Sequence, residues 1–176
     1  MASVIAALSL ALFTWNFFRQ EFPDVSVLKT RYPQLIASGD KTKPQVKIHQ
    51  HRYPGWSDIN DISKEAIGAV VVSEDWAFYN HRGYDPTQIR EAIREHIQEG
   101  RFVRGASTIT QQVIKNVFLE RDRTLWRKLK ELYLAVRLEE KVSKRRILEI
   151  YLNIAEWGDG IFGIRSAAER LSLIHI

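Results

Sequence analysis

The stretch RDRTLWRKLKELYLAVRLEEKVSKRRILEIYLNIAEWGDGIFGI, residues 121–164, carries two successive helical repeats of apolar residues. The first repeat consists of Leu125, Leu129, Leu132 and Val136, and the second of Ile147 or Leu148, Tyr151 and Ile154. Apolar residues three and four positions apart lie on one face of a helix, and that face is typically buried. Glycines at positions 158, 160 and 163 then predict turns before a last short helix. The stretch therefore predicts a mainly α fold.

A helix is also predicted over DISKEAIGAVVVSED, residues 61–75. Either Asp61 or Ser63 can cap its first turn. The residues predicted on its buried face are Ile67, Val70 or Val71, and Glu74. The run of three valines leaves a β-strand open as an alternative, because β-branched residues favour strands.

The segment PTQIREAIREHIQEG, residues 86–100, predicts an amphipathic helix. Pro86 suits a first helical turn and Gly100 suits a helix end. The predicted apolar face consists of Ile89, Ala92, Ile93 and Ile97. The opposite face is a run of Arg and Glu, which is typical of a solvent-facing surface.

The segment GASTITQQVIKN, residues 105–116, predicts the start of a helix with a polar side. Thr108 and Gln111 match the spacing of a capping box. Free backbone amides at a helix N-terminus bind anions, so this end is a candidate anion site. Gln112 and Lys115 continue a polar stripe from Thr108. The alternative is that Thr108 and Gln111 only cap the helix and that Lys115 is solvated.

Composition limits the kinds of site that the chain can hold. Its 176 residues suit one domain, and the net charge of +5 favours anionic partners: phosphates, nucleic acid or an acidic membrane surface. The absence of cysteine excludes a disulfide framework and a thiolate metal site. The five histidines lack metal-ligand spacing. The sequence therefore predicts no metal site.

The run VIAALSLALFTWNFF, residues 4–18, contains no charged residue. Residues 1–18 together approach the roughly 20 apolar residues that cross a bilayer, and aromatic side chains at the far end suit the membrane interface. We therefore predict a transmembrane anchor over residues 1–18. A cleaved signal peptide, which lacks its basic first region here, and a buried helix are the alternatives. Because the nearby basic residues follow the run, we expect further basic residues upstream of the anchor.

Residues 19–60 are predicted to be a connector between the anchor and a helical domain over residues 61–170. Pro23, Pro33, Pro44 and Pro54 interrupt this segment at regular intervals. Since proline breaks a helix interior, no long helix can run through it. We expect an extended or loop-like segment laid against the body.

Two glutamates are candidates for chemistry because of their neighbours. Glu74 would end a buried helix face beside the negative end of the helix dipole, and both effects raise the pKa of a carboxyl group towards that of a general base. Glu131 shares a face with Arg127 and Lys128, which would keep it charged. A solvated helix end at Glu74 and an exposed ion-pair face at Glu131 are the alternatives.

Four stretches together resemble the first four motifs of the peptidoglycan glycosyltransferases of glycosyltransferase family 51. They are EDWAFYNHRGYD, GASTITQQVIKN, RKLKE and KRRILEIYLNIAEWGDGIFGI, and they cover about residues 60–170. The stretch WGDGIFGI most resembles the monofunctional biosynthetic members of Gram-negative bacteria. The resemblance implies a lysozyme-like helical domain on the periplasmic face of the bacterial inner membrane, held by a single-pass anchor. It also implies that this domain polymerises lipid II into glycan strands.

The resemblance assigns roles to the matching residues. Glu74 would be the general base that takes the proton from the 4-hydroxyl of the acceptor's N-acetylglucosamine. That oxygen would attack C1 of the donor's N-acetylmuramic acid and displace undecaprenyl pyrophosphate with inversion. Glu131 would be the second catalytic glutamate. The residues implied in substrate binding are Ser107, Thr108, Gln111, Gln112, Lys115, Asn116, Arg123, Arg127 and Lys128, with the cations near the pyrophosphate.

The implied partners are lipid II, the growing glycan strand, the membrane and other cell-wall synthesis proteins, with no nucleic acid. No cofactor is required by the resemblance, which leaves a role open for divalent Mg²⁺ or Mn²⁺. From about Leu171 the family pattern is lost. We therefore expect residues 171–176 to be an atypical tail and the domain to be incomplete there. We also expect lower activity than that of a version extended with a family C-terminus, which a lipid II polymerisation assay would compare.

Two other functions fit parts of the sequence. A lytic transglycosylase or lysozyme-like hydrolase would also use a desolvated glutamate, as an acid. It does not explain the cations beside Glu131, because glycan cleavage has no phosphate leaving group. A membrane-tethered basic module would bind anionic lipid or nucleic acid, and its binding would fall steeply with salt.

Overall fold

A computed structural model describes residues 21–38, 44–100, 105–120, 122 and 124–170. Its α-helices are α1 (Lys64–Asp75), α2 (Pro86–Glu99), α3 (Ile109–Phe118), α4 (Leu125–Lys141), α5 (Lys144–Ile154) and α6 (Ile164–Arg170). Two antiparallel hairpins pair β1 (Tyr32–Ile36) with β2 (Gln45–His49) and β3 (Glu156–Gly158) with β4 (Ile161–Phe162). Short 3₁₀ helices cover Val25–Lys29, Ile59–Asp61 and Phe78–Asn80. The prediction of a mainly α fold is confirmed.

Side-chain caps fix where the helices begin. The Ser63 hydroxyl accepts a hydrogen bond from the Ala66 amide at 3.1 Å, so α1 begins after Ser63. The strand alternative for the three valines is therefore wrong. The predicted capping box of Thr108 and Gln111 is present at the start of α3. The structure thus confirms the start signals that are local in the sequence.

Helix α5 lies at the centre of the core. Every residue from Ile147 to Ile154 is buried. The helix packs against α3, β1 and α6, and α3 in turn packs against α4. Large side chains that are fully buried around it include Leu28, Phe78, Ile109, Ile114, Leu134 and Leu138. The helices that carry the polar motifs therefore belong to one packed body.

The buried face of α4 differs from the predicted one. Leu125 is 86% exposed and Leu129 is also exposed. The buried residues of the helix are Glu131, Leu134, Ala135 and Leu138. The helix has two apolar rows, and the row that faces the core contains a carboxylate whose charge is balanced by neighbours. Because the buried row contains a charged residue, the spacing of apolar residues did not predict it.

The predicted apolar face of α2 is also only partly correct. Ile93 and Ile97 are exposed, the latter by 75%, whereas Gln88 is buried. Burial decreases along the helix from Gln88 onward. Only the first turns of α2 therefore pack against the described body, and the apolar side chains of the later turns are not covered by it.

The part of the predicted connector that the structure describes is packed into the domain. Val25, Leu28, Leu35 and Trp56 belong to the hydrophobic core. Arg146 of α5 donates hydrogen bonds to the backbone carbonyls of residues 28 and 31. The described part of the segment forms a hairpin of two extended strands and 3₁₀ helices, and it lies against the body as predicted.

The predicted anchor over residues 1–18 and the predicted tail over residues 171–176 lie outside the described residues. In the ranges that the structure does describe, no helix combines the length and the apolar character needed to span a bilayer.

Candidate active site

A cleft of about 460 Å³ lies where the end of α1, one side of α3 and the end of α5 meet. Its lining residues are Glu74, Gln112, Lys115, Asn116, Asp122, Arg127, Tyr151, Ala155 and Glu156. Five of these, namely Glu74, Gln112, Lys115, Asn116 and Arg127, are residues that the sequence singled out. The fold thus brings polar residues from separate motifs to one place.

Glu74 lies on the last turn of α1 and is exposed to the cleft. The Gln112 side chain donates from Nε2 to Glu74 Oε2 at 2.9 Å. The Tyr151 side chain lines the same cleft. The prediction that Glu74 ends the buried face of α1 is wrong, because that face runs through Val70 and Val71 to Asp75. Glu74 is exposed to the cleft instead of being buried among apolar side chains.

The Tyr151 side chain acts as a neutral hydrogen-bond donor in the cleft. Burial of the side chain, followed by the nearby negative charge of Glu74 and their hydrogen bond, raises the pKa of the Tyr151 hydroxyl. Both effects disfavour the phenolate. The hydroxyl therefore stays protonated at neutral pH and can donate to the carboxylate.

Asp75 is buried, with 2% of its surface exposed, and it links α1 to α3. Its Oδ2 accepts a hydrogen bond from the backbone amide of Ile109, the first residue of α3, at 3.0 Å. The His81 Nε2 lies 3.0 Å from both carboxylate oxygens. The start of α3 was predicted to be an open anion site, but Asp75 already supplies the anion there. This contact holds the end of α1 beside α3.

Glu131 is buried, with 1% of its surface exposed, and is paired with two cations. Arg127 donates from Nη1 to Glu131 Oε2 at 2.6 Å, and the Lys128 ammonium group contacts Oε1. Lys128 also donates to the Ser107 hydroxyl at 3.0 Å. Arg127 lines the cleft whereas Glu131 lies beneath it. Glu131 therefore orients the cations rather than facing the cleft itself.

The other predicted binding residues on α3 support its position. Thr108 and Gln111 are buried, and they form the capping box. The Thr108 hydroxyl also donates to the Gly83 carbonyl at 2.7 Å. Neither residue lines the cleft described above. Arg123 lies outside the described residues.

The loop after α1 approaches α4 at a glycine. Gly83 has φ of +81°, and a Cβ added there would lie 2.7 Å from the Val136 backbone nitrogen. Any side chain would collide with backbone atoms of α4, so glycine is the residue that fits. The loop, α3 and α4 therefore meet at one residue without a side chain.

Several cleft residues were not predicted as site residues. Tyr151 was assigned to the hydrophobic core, although its hydroxyl is the one polar group in the predicted apolar repeat of α5. Asp122, Ala155 and Glu156 also line the cleft. Nothing in the sequence pattern distinguishes these three from ordinary loop residues. Within the described ranges, no group of three or more His, Cys, Asp or Glu side chains is placed to hold a metal ion.

A family model described as "Transglycosylase" matches residues 41–171, which is most of the chain. The chain belongs to the transglycosylase family. Proteins named "Biosynthetic peptidoglycan transglycosylase" from several bacteria are similar to it. The protein of Laribacter hongkongensis is 50% identical over 128 residues, which cover 73% of this chain and 54% of that protein. The protein of Chromobacterium violaceum is 35% identical over 173 residues, covering 94% and 73% respectively.

A third relative is also similar to this transglycosylase-family chain over only part of its own length. The protein of Nitrosomonas eutropha is 45% identical over 128 residues, which cover 73% of the chain and 51% of that protein. The chain thus spans about half the length of two of these relatives. Family membership is established over the part of the chain that contains the cleft.

Proposed function

We propose that this chain carries the catalytic cleft of a peptidoglycan glycosyltransferase that polymerises lipid II into glycan strands. The observation that carries the proposal is the placement of Glu74 in one cleft with Lys115 and Arg127. A carboxylate can remove a proton there, and cations can stabilise a phosphate leaving group. The names of the similar proteins and the resemblance to family 51 support the choice of reaction.

In the proposed reaction, Glu74 is the general base. Its carboxylate takes the proton from the 4-hydroxyl of the acceptor's N-acetylglucosamine. Water and neutral donors around a carboxylate stabilise its charged form, which is the form a base needs. The acceptor oxygen bonds to C1 of the donor's N-acetylmuramic acid while the bond from C1 to the pyrophosphate oxygen breaks. The electron pair leaves with undecaprenyl pyrophosphate, and C1 is inverted.

The cations of the cleft are proposed to bind the pyrophosphate. Arg127 presents a planar guanidinium, which suits phosphate oxygens. Glu131, buried beneath it, holds one side of that guanidinium in place. Among the described residues, no three His, Cys, Asp or Glu side chains are grouped so that they could hold a metal ion.

We further propose that residues 1–18 anchor the protein by a single pass and that the domain acts on the outer face of the bacterial inner membrane. The uncharged run of residues 4–18 supports this placement. A lipid-linked donor requires the cleft to lie close to a bilayer surface. The membrane and other cell-wall synthesis proteins are the proposed partners.

The test is polymerisation of labelled lipid II by the wild type, Glu74→Gln and Glu65→Gln. Glu65 is an exposed glutamate at the other end of the same helix and serves as the matched control. Loss of a general base typically lowers the rate by about 10²- to 10⁴-fold. We expect a loss of that size for Glu74→Gln and a nearly unchanged rate for Glu65→Gln. A near-normal rate for Glu74→Gln would refute the mechanism.

The same preparations separate the other functions. Purified glycan shortened by the wild type, with lipid II left unused, would favour a hydrolase. Binding of anionic vesicles or nucleic acid that falls with salt, without consumption of lipid II, would favour a basic binding module. Longer glycan formed as lipid II is consumed supports the proposal.

A further inference from the structure

Helix α4 carries a row of exposed apolar side chains on the side turned away from the core. Leu125 is 86% exposed, and Trp126, Leu129 and Tyr133 are each exposed by half or more. These four residues, called the exposed row below, share about a third of the helix circumference, because each residue turns the helix by about 100°. A single exposed apolar side chain is ordinary, whereas a contiguous row marks a surface that contacts another element or partner.

The first two described residues of the chain are fixed at this row. Glu21 Oε2 accepts hydrogen bonds from Lys130 Nζ at 2.7 Å and from Trp126 Nε1 at 3.3 Å. The Phe22 ring packs edge-to-face against the rings of Tyr133 and Trp126, with centroids 5.2 and 6.3 Å apart. The polar and the aromatic contacts together place the point where the described chain begins directly on the exposed row.

Chain connectivity limits how far the preceding residues can lie from the row. The uncharged run of residues 4–18 ends three residues before Glu21. Because a residue spans at most about 3.6 Å, the Cα atom of Phe18 lies within about 11 Å of the Glu21 Cα atom. Leu129 is only about 4.5 Å along the helix axis from Trp126, which Glu21 contacts. The covalent chain therefore holds the end of the run close to the exposed row.

We propose that the end of this run, with Trp15, Phe17 and Phe18, docks on the exposed row of α4. Contact between the two apolar surfaces removes both from water, which is favourable. The contact buries no unpaired charge, because the run is uncharged and Lys130, beside the row, is paired with Glu21. The occupant is a segment of the same chain because the described chain already begins on this row. A bilayer surface and a second copy of the chain are the occupants that the experiment must distinguish from it.

The docking has a consequence for the cleft because α4 belongs to both surfaces. Arg127 follows Trp126 in sequence and lines the cleft, and its guanidinium is held by Glu131 at 2.6 Å. One turn of α4 therefore contacts the docked run on one side and presents a cation to the cleft on another. The run then sets how the cleft is oriented relative to the proposed membrane anchor. This consequence rests on the proposed function, whereas the docking itself does not.

The experiment is disulfide cross-linking in the full chain, which contains no cysteine of its own. Phe18→Cys is combined with Leu129→Cys or, as the control, with Glu140→Cys. Glu140 is also exposed on α4 but lies about 16 Å further along the helix axis than Leu129. Since a disulfide needs Cα atoms within about 7 Å, we expect the Leu129 pair to close within one chain at least about tenfold faster. Leu125→Cys offers a second position on the row if the angle at Leu129 is unfavourable.

Chemical labelling gives a second readout that needs no disulfide geometry. The rate at which a water-soluble maleimide labels Leu129→Cys is measured in detergent micelles, with and without Phe18→Ser in the same chain. If Phe18 covers the row, its replacement by a small polar residue exposes the cysteine, and the labelling rate should rise severalfold. The labelling rate of Glu140→Cys should not change. Non-reducing gels and peptide mass mapping identify the disulfides and the labelled positions in both experiments.

Three results would overturn the inference. Both the Leu125 and the Leu129 pairs closing no faster than the Glu140 pair would mean that the run has no preference for the row. Disulfides formed only between chains would assign the row to a second copy. A Leu129→Cys rate that ignores Phe18→Ser but falls in phosphatidylglycerol vesicles would assign the row to the bilayer. Neither readout requires turnover, so a near-normal rate for Glu74→Gln would refute the proposed function and leave the docking intact.

Discussion

The two glutamates singled out by the sequence occupy opposite environments. Glu74 is exposed, receives a hydrogen bond from the neutral Gln112 side chain of α3, and shares its cleft with Tyr151 of α5. Glu131 is buried and is paired with two cations of its own helix. A carboxylate that faces a cleft can reach a bound substrate, whereas one buried between two cations is occupied by its ion pairs. Glu74 is therefore placed to act on a substrate, whereas Glu131 is placed to orient Arg127 and Lys128.

The largest expected effect on stability is at Glu131. Glu131→Gln leaves Arg127, whose side chain is 16% exposed, without its counter-charge. Breaking a buried pair is strongly destabilising. Lys128 is 44% exposed, which reduces the cost, so we expect a loss of about 2 to 4 kcal/mol in the free energy of unfolding. Glu74→Gln should change it by no more than about 0.5 kcal/mol, as surface substitutions do. Urea unfolding of both variants measures the difference, and equal losses would contradict the comparison.

A smaller effect is expected at Asp75, which follows Glu74 in sequence but resembles Glu131 in burial. Asp75→Asn keeps the shape of the side chain and removes the charge that faces the Ile109 amide and His81. Hydrogen bonds to a charged group contribute more than neutral ones, so we expect a loss of about 1 to 2 kcal/mol. Asp61→Asn, at an exposed aspartate, is the control. If both variants unfold at the same urea concentration, burial of the aspartate does not determine how much the free energy of unfolding falls.

The smallest expected effect is on the stability of the fold at alkaline pH, through the hydroxyl groups of two buried tyrosines. Burial raises the pKa of Tyr53 to about 12, and it also raises that of Tyr151. A group whose pKa is higher in the folded state stabilises the fold fully below the unfolded value of about 10. That contribution is lost as pH rises from about 10 through the folded value. Each Tyr→Phe variant should therefore lose less stability than the wild type between pH 10 and about 12.

Urea midpoints at pH 8, 10 and 11.5 test this third prediction. A Tyr79→Phe variant, which removes the hydroxyl of an exposed tyrosine, serves as the control. Identical alkaline losses in the wild type and in Tyr151→Phe would mean that the Tyr151 hydroxyl is not held neutral by its surroundings. Glu74 would then not have the protonated partner that distinguishes it from Glu131.

The parts of the fold that could be predicted are those whose signals are local. Ser63, Thr108 and Gln111 act on amides within three residues of themselves, and the helices begin where these caps predict. The burial of helix faces was less predictable. On α1 a shift of one residue exchanges Glu74 for Asp75 on the buried face. Such a shift is decided by what the helix packs against, and spacing alone does not contain that information.

In the candidate site, too, residues in local motifs could be predicted, whereas contacts set by packing could not. Glu74, Gln112, Lys115, Asn116 and Arg127 are polar residues in motifs, and all of them line the cleft. Tyr151 was missed because its ring belongs to the apolar repeat of α5 while its hydroxyl belongs to the cleft. The pairing of Asp75 with the start of α3 was missed because its partners lie 6 and 34 residues away along the chain.

The close approach at Gly83 determines how constant the cleft is. Backbone atoms of the loop and of α4 meet there without an intervening side chain, and the Thr108 hydroxyl fastens α3 to the same residue. A spacing set by backbone contact does not change when side chains change rotamer. The spacing between the loop after α1 and helix α4, which carries Arg127, is therefore set by backbone contact.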